Sequence, residues 1–237
     1  NEALGSSFAD WDVLLNRPFT GELDLKAITE VNVEHYRNMC EVYYSTMRQA
    51  MDEFLPGVLY LGCRWHGNNA NRYNVPIAEK YVDVFSFNVY RDELDEFRYA
   101  APAQDADKPY LISEFHFGAL DRGLPSTGRR GVETQRERGI AYRRYIELAA
   151  ADPNVIGAHY FILNDQELLG RFDGENDQIG FVDVCHRPYR ELVDSATRSH
   201  EAVYELAAGE VEPFRGRARE IPRVGLLKLL PSFEAQP

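Results

Sequence analysis

The sequence predicts an α/β fold built on a parallel β-sheet. Four short apolar runs rich in β-branched and aromatic residues indicate buried strands, and segments with a helical period separate them. No tight-hairpin signal joins consecutive runs, which favours βαβ units with parallel strands. The four predicted strands are Val58–Trp65, Val82–Tyr90, Tyr110–Phe117 and Val155–Leu163.

Three helices are predicted from apolar residues that recur at steps of three or four. The clearest begins at Asn32, a suitable N-cap, and stops before Pro56 and Gly57. The third begins with Pro188 in its first turn and ends at Gly209. The predicted ranges are 32–55, 133–150 and 188–209, and the glycine-rich segment 120–131 predicts a mobile loop after the third strand.

Composition limits the classes of partner. With 44% hydrophobic and 27% charged residues, the 237-residue chain can bury a substantial core. The 26 Lys and Arg against 38 Asp and Glu give a net charge of -12, which repels nucleic acid, anionic lipid and sulfated polymers, so we expect a neutral partner. No apolar run of about 18 residues predicts a membrane span, and the start shows no secretion signal. Three widely spaced cysteines argue against a disulfide framework or a zinc site.

Glu114 lies within an apolar predicted strand. Alternation puts it on one face with Ile112 and His116. An unpaired charge there would cost several kcal/mol, so Glu114 either pairs with an arginine or points into a cleft. The cleft is favoured because polar groups also end the other three strands, as in α/β barrels and doubly wound sheets. These groups are Arg64 and His66, Asn88 and Tyr90, and Asn164, Asp165 and Gln166.

Several segments together resemble one enzyme family. They are Leu59–Trp65, Ser113–Gly118, Gly157–Phe161, Gly170–Asn176 and Gln178–Asp183. With Asn1-Glu2 at the start and Glu114 later, the chain resembles retaining glycosidases of the (β/α)8 superfamily. More specifically, it resembles the C-terminal half of the catalytic domain of β-agarases of glycoside hydrolase family 50, over roughly residues 1–209.

This resemblance implies a fold and a domain layout. The fold would be the C-terminal half of a (β/α)8 TIM barrel, with the four predicted strands as strands five to eight and Asn1-Glu2 at the end of strand four. Residues 1–209 would be a partial catalytic domain, and residues 210–237, which carry four prolines without a sustained period, a C-terminal tail. The resemblance also implies that the longer enzyme to which these residues would belong, here called the parent protein, is secreted or periplasmic.

The resemblance further implies site residues. Glu114 would be the nucleophile and Glu2 the acid/base, their carboxyl groups about 5 to 5.5 Å apart. Asn1 would bind the 2-hydroxyl of the sugar, and Tyr160 would hold the aromatic position on strand eight and stack on the sugar. Tyr90 could donate a hydrogen bond to Glu114 or only pack at the barrel mouth, and Arg64 could bind a hydroxyl or pair with Glu114. The remaining predicted substrate-binding residues are Asn88, His116 and Asp165. The resemblance also implies that the partner would be a neutral galactan and that no cofactor would be needed.

Three alternatives remain at this stage. One is another retaining barrel glycosidase of β-galactosidase or endoglucanase type. A second is a metal-dependent barrel hydrolase, since histidine and carboxylate side chains suit zinc or similar ions. Its ligands would come from His66, Glu114, His116, His159 and Asp165. The third is a non-catalytic sugar-binding module, which the 12% aromatic content would suit.

Overall fold

The computed structural model describes residues 1, 6–16, 25–66, 69–91, 94 and 107–221. The chain divides into two compact units, each considered by itself below. The first comprises Asn1–Gly62, Gly67–Phe85 and Tyr99–Lys108, and the second Cys63–His66, Ser86–Arg98 and Pro109–Pro237.

Six helices and four strands are formed by the described residues. In chain order they are α1 (Trp11–Asn16), α2 (Leu25–Phe54), β1 (Arg64–His66), α3 (Val75–Ala78), β2 (Phe85–Asn88), β3 (Tyr110–Phe115), α4 (Gln135–Ala151), β4 (Val155–Tyr160), α5 (Arg190–Glu201) and α6 (Val203–Ala207). Helix α2 starts seven residues before the predicted N-cap at Asn32. In the described part of the chain, no helix is both long enough and apolar enough to cross a membrane.

An ion pair fixes the approach to β2 in the first unit. Arg48 of α2 lies 3.0 Å from the Asp83 carboxylate, which also accepts the Tyr60 backbone N–H at 2.7 Å. The hydrogen bond from Tyr60 and the guanidinium of Arg48 hold the pKa of Asp83 below its usual range. Asp83 is therefore a charged anchor two residues before β2 begins.

The parallel sheet is confirmed, with strand order β1-β2-β3-β4. Strands β1 and β2 pair in parallel, as do β3 and β4. All four strands are shorter than predicted, and β1 most of all, because residues 58–63 lie outside it. Gly62 explains this difference: its φ of 64° is left-handed and ends an extended run, and a Cβ there would lie 2.8 Å from Val82. The strand therefore begins only after Gly62.

Helix α4 packs on the sheet through aromatic rings. Phe115 of β3 stacks on Tyr145 with ring centroids 4.2 Å apart and planes 7° apart. The Tyr145 hydroxyl donates to the Val89 carbonyl at 2.8 Å, which ties α4 to the end of β2. At the start of the helix, the Thr134 hydroxyl caps the Glu137 N–H at 3.3 Å.

A completely buried arginine joins α4 to the ends of β3 and β4. The Arg138 guanidinium donates to the Phe117 carbonyl at 2.8 Å, the Tyr160 hydroxyl at 3.0 Å and the Gly180 carbonyl at 2.7 Å. It also bonds Gln135, one turn earlier, at 2.6 Å. All of these acceptors are neutral, and together they satisfy the donors of the buried guanidinium. Because two of them lie just after β3 and at the end of β4, the Arg138 side chain holds both strand ends in place.

Residues 210–221 pack on the second unit. The Phe214 N–H donates to the buried Glu147 carboxylate at 2.7 Å, and the Arg219 N–H donates to the buried Glu137 carboxylate at 2.7 Å. Glu220 forms an antiparallel bridge with Val132. This segment thus lies against α4, whereas residues 222–237 of the predicted tail are outside the described residues. A domain boundary after residue 209 stays a prediction.

Arg138→Met should lower the free energy of unfolding by about 3 kcal/mol, because two backbone carbonyls lose a charged donor in a buried site. The measurement is a urea titration followed by circular dichroism. Arg136→Met provides the matched control, since Arg136 is on the same helix and exposed. Equal stability of the two variants would contradict the role given to Arg138.

Candidate active site

Glu114 is the centre of a cluster of polar side chains at the end of the sheet. Its carboxylate accepts a hydrogen bond from the Asn88 side-chain amide at 2.5 Å and lies 3.5 Å from the Arg64 guanidinium. The Glu114 side chain is 14% exposed, so it is shielded but still reachable from solvent. The neighbouring residue Phe115 faces α4 instead, and Glu114 therefore points away from the helix layer. The orientation away from the helices is as expected from the sequence, and a cleft on this side stays a prediction.

An irregularity in β3 aims Glu114. Ile112 pairs with Ala158 and Phe115 with Tyr160, so three residue steps on β3 face two on β4. Such a bulge bends a strand and redirects a side chain. Strict alternation predicted Ser113 and Glu114 on opposite faces, but both contact Asn88: the Ser113 hydroxyl donates to the Asn88 amide oxygen at 2.9 Å. Asn88 is thereby oriented with its NH2 group toward Glu114.

Arg64 pairs with Glu114, as one of the two predictions for it required, and its contact with a sugar hydroxyl stays a prediction. The Arg64 side chain is 59% exposed while that of Glu114 is 14% exposed. An ion pair with one exposed partner contributes little to stability. The exposed Arg64 guanidinium can therefore contact a ligand while it stays paired with Glu114.

Tyr90 donates a hydrogen bond to Glu114, as one of the two predictions for it required. Its ring packs edge-on against His66 and His116, with centroids 5.8 and 4.7 Å apart. Burial and the hydrogen bond to Glu114 raise the pKa of Tyr90 well above its usual value. The phenol therefore keeps its proton and remains a donor to the carboxylate.

His116 is buried and bonded within the protein. Its Nε2 accepts the Arg129 backbone N–H at 2.8 Å, and only 3% of the residue is exposed. Burial lowers the pKa of His116 to about 3, so the imidazole is neutral. The sequence predicted a sugar-binding histidine, but this geometry makes His116 an anchor for loop 118–131.

Tyr160 faces α4 rather than Glu114. Its ring packs against Phe115, Tyr142 and Phe181, and its hydroxyl donates to the Phe117 carbonyl at 2.9 Å. This packing argues against the predicted stacking role, because parity on β4 sends Tyr160 to the helix side. Sequence reasoning missed Phe161, the next residue, whose ring centroid is 6.2 Å from that of His116.

Asp165 is a structural carboxylate in the described geometry. One oxygen accepts the Gly180 N–H at 2.7 Å, and the other accepts the Tyr189 hydroxyl at 2.5 Å. Burial raises the pKa of Asp165, against the effect of these two donors. Both oxygens hold the loop before α5, so the structure gives no support to the predicted contact between Asp165 and a sugar.

Asn1 and Glu2, the two residues expected at the end of strand four, stay predictions as site residues. Asn1 belongs to the first unit, where its side chain bonds the backbone of Phe8 in both directions at 2.9 Å. Glu2 lies outside the described residues. The distance between the two carboxyl groups therefore stays a prediction.

The side chains named for a metal-dependent hydrolase do not form a ligand group. His116 is bonded to Arg129, and Asp165 to Gly180 and Tyr189. Across the described ranges, no three histidine, cysteine, aspartate or glutamate side chains are grouped to hold a metal ion.

Comparisons with known proteins find two agarases of similar sequence. No protein-family model matches the chain. It is 33% identical to β-agarase B and to β-agarase A of Vibrio sp. (strain JT0107), over 87% and 86% of its length. It spans 22% and 21% of the lengths of these two proteins.

Two solved structures are similar as well. The agarase AgWH50C matches with a TM-score of 0.74 and 35% identity, covering 87% of this chain and 29% of that one. An exo-β-agarase matches with a TM-score of 0.76 and 32% identity, covering 88% and 28%. All four of these proteins are agarases by name, so the class that the chain resembles is that of glycoside hydrolases. Over its aligned length, the chain is similar to these agarases, and it covers less than a third of each of them.

The stability of the protein should respond to the buried neutral His116 as the pH falls. The unfolded histidine takes up a proton near its usual pKa of about 6.5, whereas the folded one does so only near 3, so acid favours unfolding between these values. The contribution is a slope of about 1.4 kcal/mol per pH unit. His116→Gln should remove it in urea titrations between pH 6.5 and 4. An unchanged slope would contradict the assignment.

Proposed function

We propose that the chain is part of a retaining glycoside hydrolase that cleaves β-galactosidic linkages of agarose or of neoagaro-oligosaccharides. One observation carries the proposal: Glu114 lies at the end of a parallel sheet, reachable from solvent, with Asn88 and Tyr90 donating to it. A carboxylate held by donors in a cleft suits nucleophilic attack on an anomeric carbon. The relatives with aligned sequences carry the name β-agarase, which supports the substrate.

The four strands would be strands five to eight of a (β/α)8 barrel. Their sequential order, their parallel pairing and the polar side chains at their C-terminal ends are what this architecture requires. Asn1-Glu2 would then end strand four, and residues 1–209 would belong to the catalytic domain. Residues 210–221, which pack on α4, would complete its surface, with the rest of the 210–237 tail following.

The mechanism would be a double displacement. Glu114 attacks the anomeric carbon while Glu2 gives its proton to the departing oxygen, which leaves a glycosyl ester on Glu114. Glu2 then takes a proton from water, and the resulting attack releases the sugar with its original configuration. Asn88 and Tyr90 keep the Glu114 carboxylate oriented, and Asn1 and Arg64 bind hydroxyl groups. The two carboxyl groups supply this chemistry without a cofactor.

A neutral galactan fits the charge of the chain. Sulfate groups entering the cleft would meet a net charge of -12 and the carboxylates of the site. Because a polymer cannot diffuse through a membrane, we propose that the parent protein acts after secretion or in the periplasm.

Glu114→Gln in the full-length protein should reduce turnover of agarose oligosaccharides at least a thousandfold, because the amide keeps the shape but cannot form the glycosyl ester. Binding of the oligosaccharide, measured by calorimetry, should change little. Glu201→Gln, an exposed substitution on α5, is the matched control and should retain full activity. Activity of Glu114→Gln within tenfold of the unchanged protein would refute the nucleophile.

Agarose should be cleaved much faster than carrageenan, since only the latter brings sulfate into a negative field. A reducing-sugar assay on both polymers measures the preference, and NMR of the first product reports its anomeric configuration. Preference for carrageenan would overturn the substrate, and an inverted anomer would overturn the double displacement.

A further inference from the structure

The loop after β3 folds back onto the end of its own strand. The Gly118 N–H donates to the Arg130 carbonyl at 2.8 Å, and the Val132 N–H donates to the Gly118 carbonyl at 2.9 Å. Further along, the Gln178 N–H donates to the Ser126 carbonyl at 2.8 Å. The glycine-rich composition predicted a mobile loop, but these bonds fasten it on both sides of Arg129.

The backbone of Arg129 is held independently of its side chain. Its N–H donates to His116 Nε2 at 2.8 Å. The preceding Gly128 has a φ of 65°, and a Cβ there would lie 2.5 Å from the same nitrogen. Only glycine allows this approach. A substitution that changes the Arg129 side chain therefore leaves the anchoring bond in place.

The Arg129 side chain contacts the ring of Tyr90, which belongs to the Glu114 cluster. Its guanidinium carbon is 5.4 Å from the centroid of the Tyr90 ring, within the range of a cation–π contact. His66 and His116 contact other parts of this ring edge-on. Of these three contacts among the described residues, Arg129 supplies the charged one to the phenol that donates to Glu114.

We propose that Arg129 is a positioning residue that acts through Tyr90 to hold the Glu114 carboxylate in its attacking orientation. This inference rests on the proposed function of Glu114. Arg129 and Tyr90 come from different loops, and the hydrogen bond to Glu114 depends on the angle at which the ring is held. Loss of the guanidinium removes one of the ring's restraints, while the carboxylate keeps its bond to Asn88.

A double-mutant cycle with Arg129→Met and Tyr90→Phe in the full-length protein tests this inference. We expect Arg129→Met to lower kcat on agarose oligosaccharides about tenfold and to leave KM within about twofold, because an orientation is lost rather than a sugar contact. In the Tyr90→Phe background, the same substitution should lower kcat less than about twofold, because the hydroxyl through which it acts is absent.

The control is Arg122→Met, the same change in the same loop, where the guanidinium pairs with Glu191 at 2.9 Å. It should retain the full kcat, and thermal melting shows whether each variant is folded. Equal effects of Arg129→Met in both backgrounds, an effect confined to KM, or no effect at all would each overturn the inference. Activity in Glu114→Gln would instead overturn the proposed function, so the two failures are distinguishable.

Discussion

The arrangement of the second unit depends on the charge of Arg138 buried in α4. Its hydrogen bonds reach the end of β3, the end of β4 and the segment that leads into α5. A buried guanidinium is tolerated only when its donors are satisfied. The acceptors must therefore keep their positions, and two of them, Phe117 and Tyr160, lie just after β3 and at the end of β4. Glu114 is three residues before Phe117, so the helix layer and the polar face are joined through one short stretch of strand.

Sequence reasoning located the centre of the polar cluster because burying a charge is costly. A carboxylate in an apolar strand predicted the cleft at Glu114, and the polar ends of neighbouring strands predicted Arg64, Asn88 and Tyr90 around it. Those contacts are observed. The parallel sheet followed from strands that alternate with helices. Resemblance to agarases, rather than any local pattern, supplied the family, since an Asn-Glu pair alone carries no information.

The remaining site residues could not be predicted because they depend on contacts distant in sequence. The loop that follows His116 decides what this side chain binds. In the fold, its Nε2 accepts a backbone N–H from that loop instead of contacting a sugar. From the sequence, the Asp165 carboxylate was a candidate for binding a sugar. In the fold, both of its oxygens accept hydrogen bonds, from Gly180 and Tyr189. The choice between Tyr160 and Phe161 is a question of parity, and an irregular register along the sheet makes parity unreliable.

Because of the bulge between Ile112 and Phe115, the number of residues in this stretch matters as much for the direction of Glu114 as their identity does. One extra residue lets two neighbouring side chains, Ser113 and Glu114, share the partner Asn88. In an alignment of relatives, a one-residue gap placed here would exchange the carboxylate with a core position. A mutant library that randomises Ser113 should therefore hold constant the number of residues between Ile112 and Phe115.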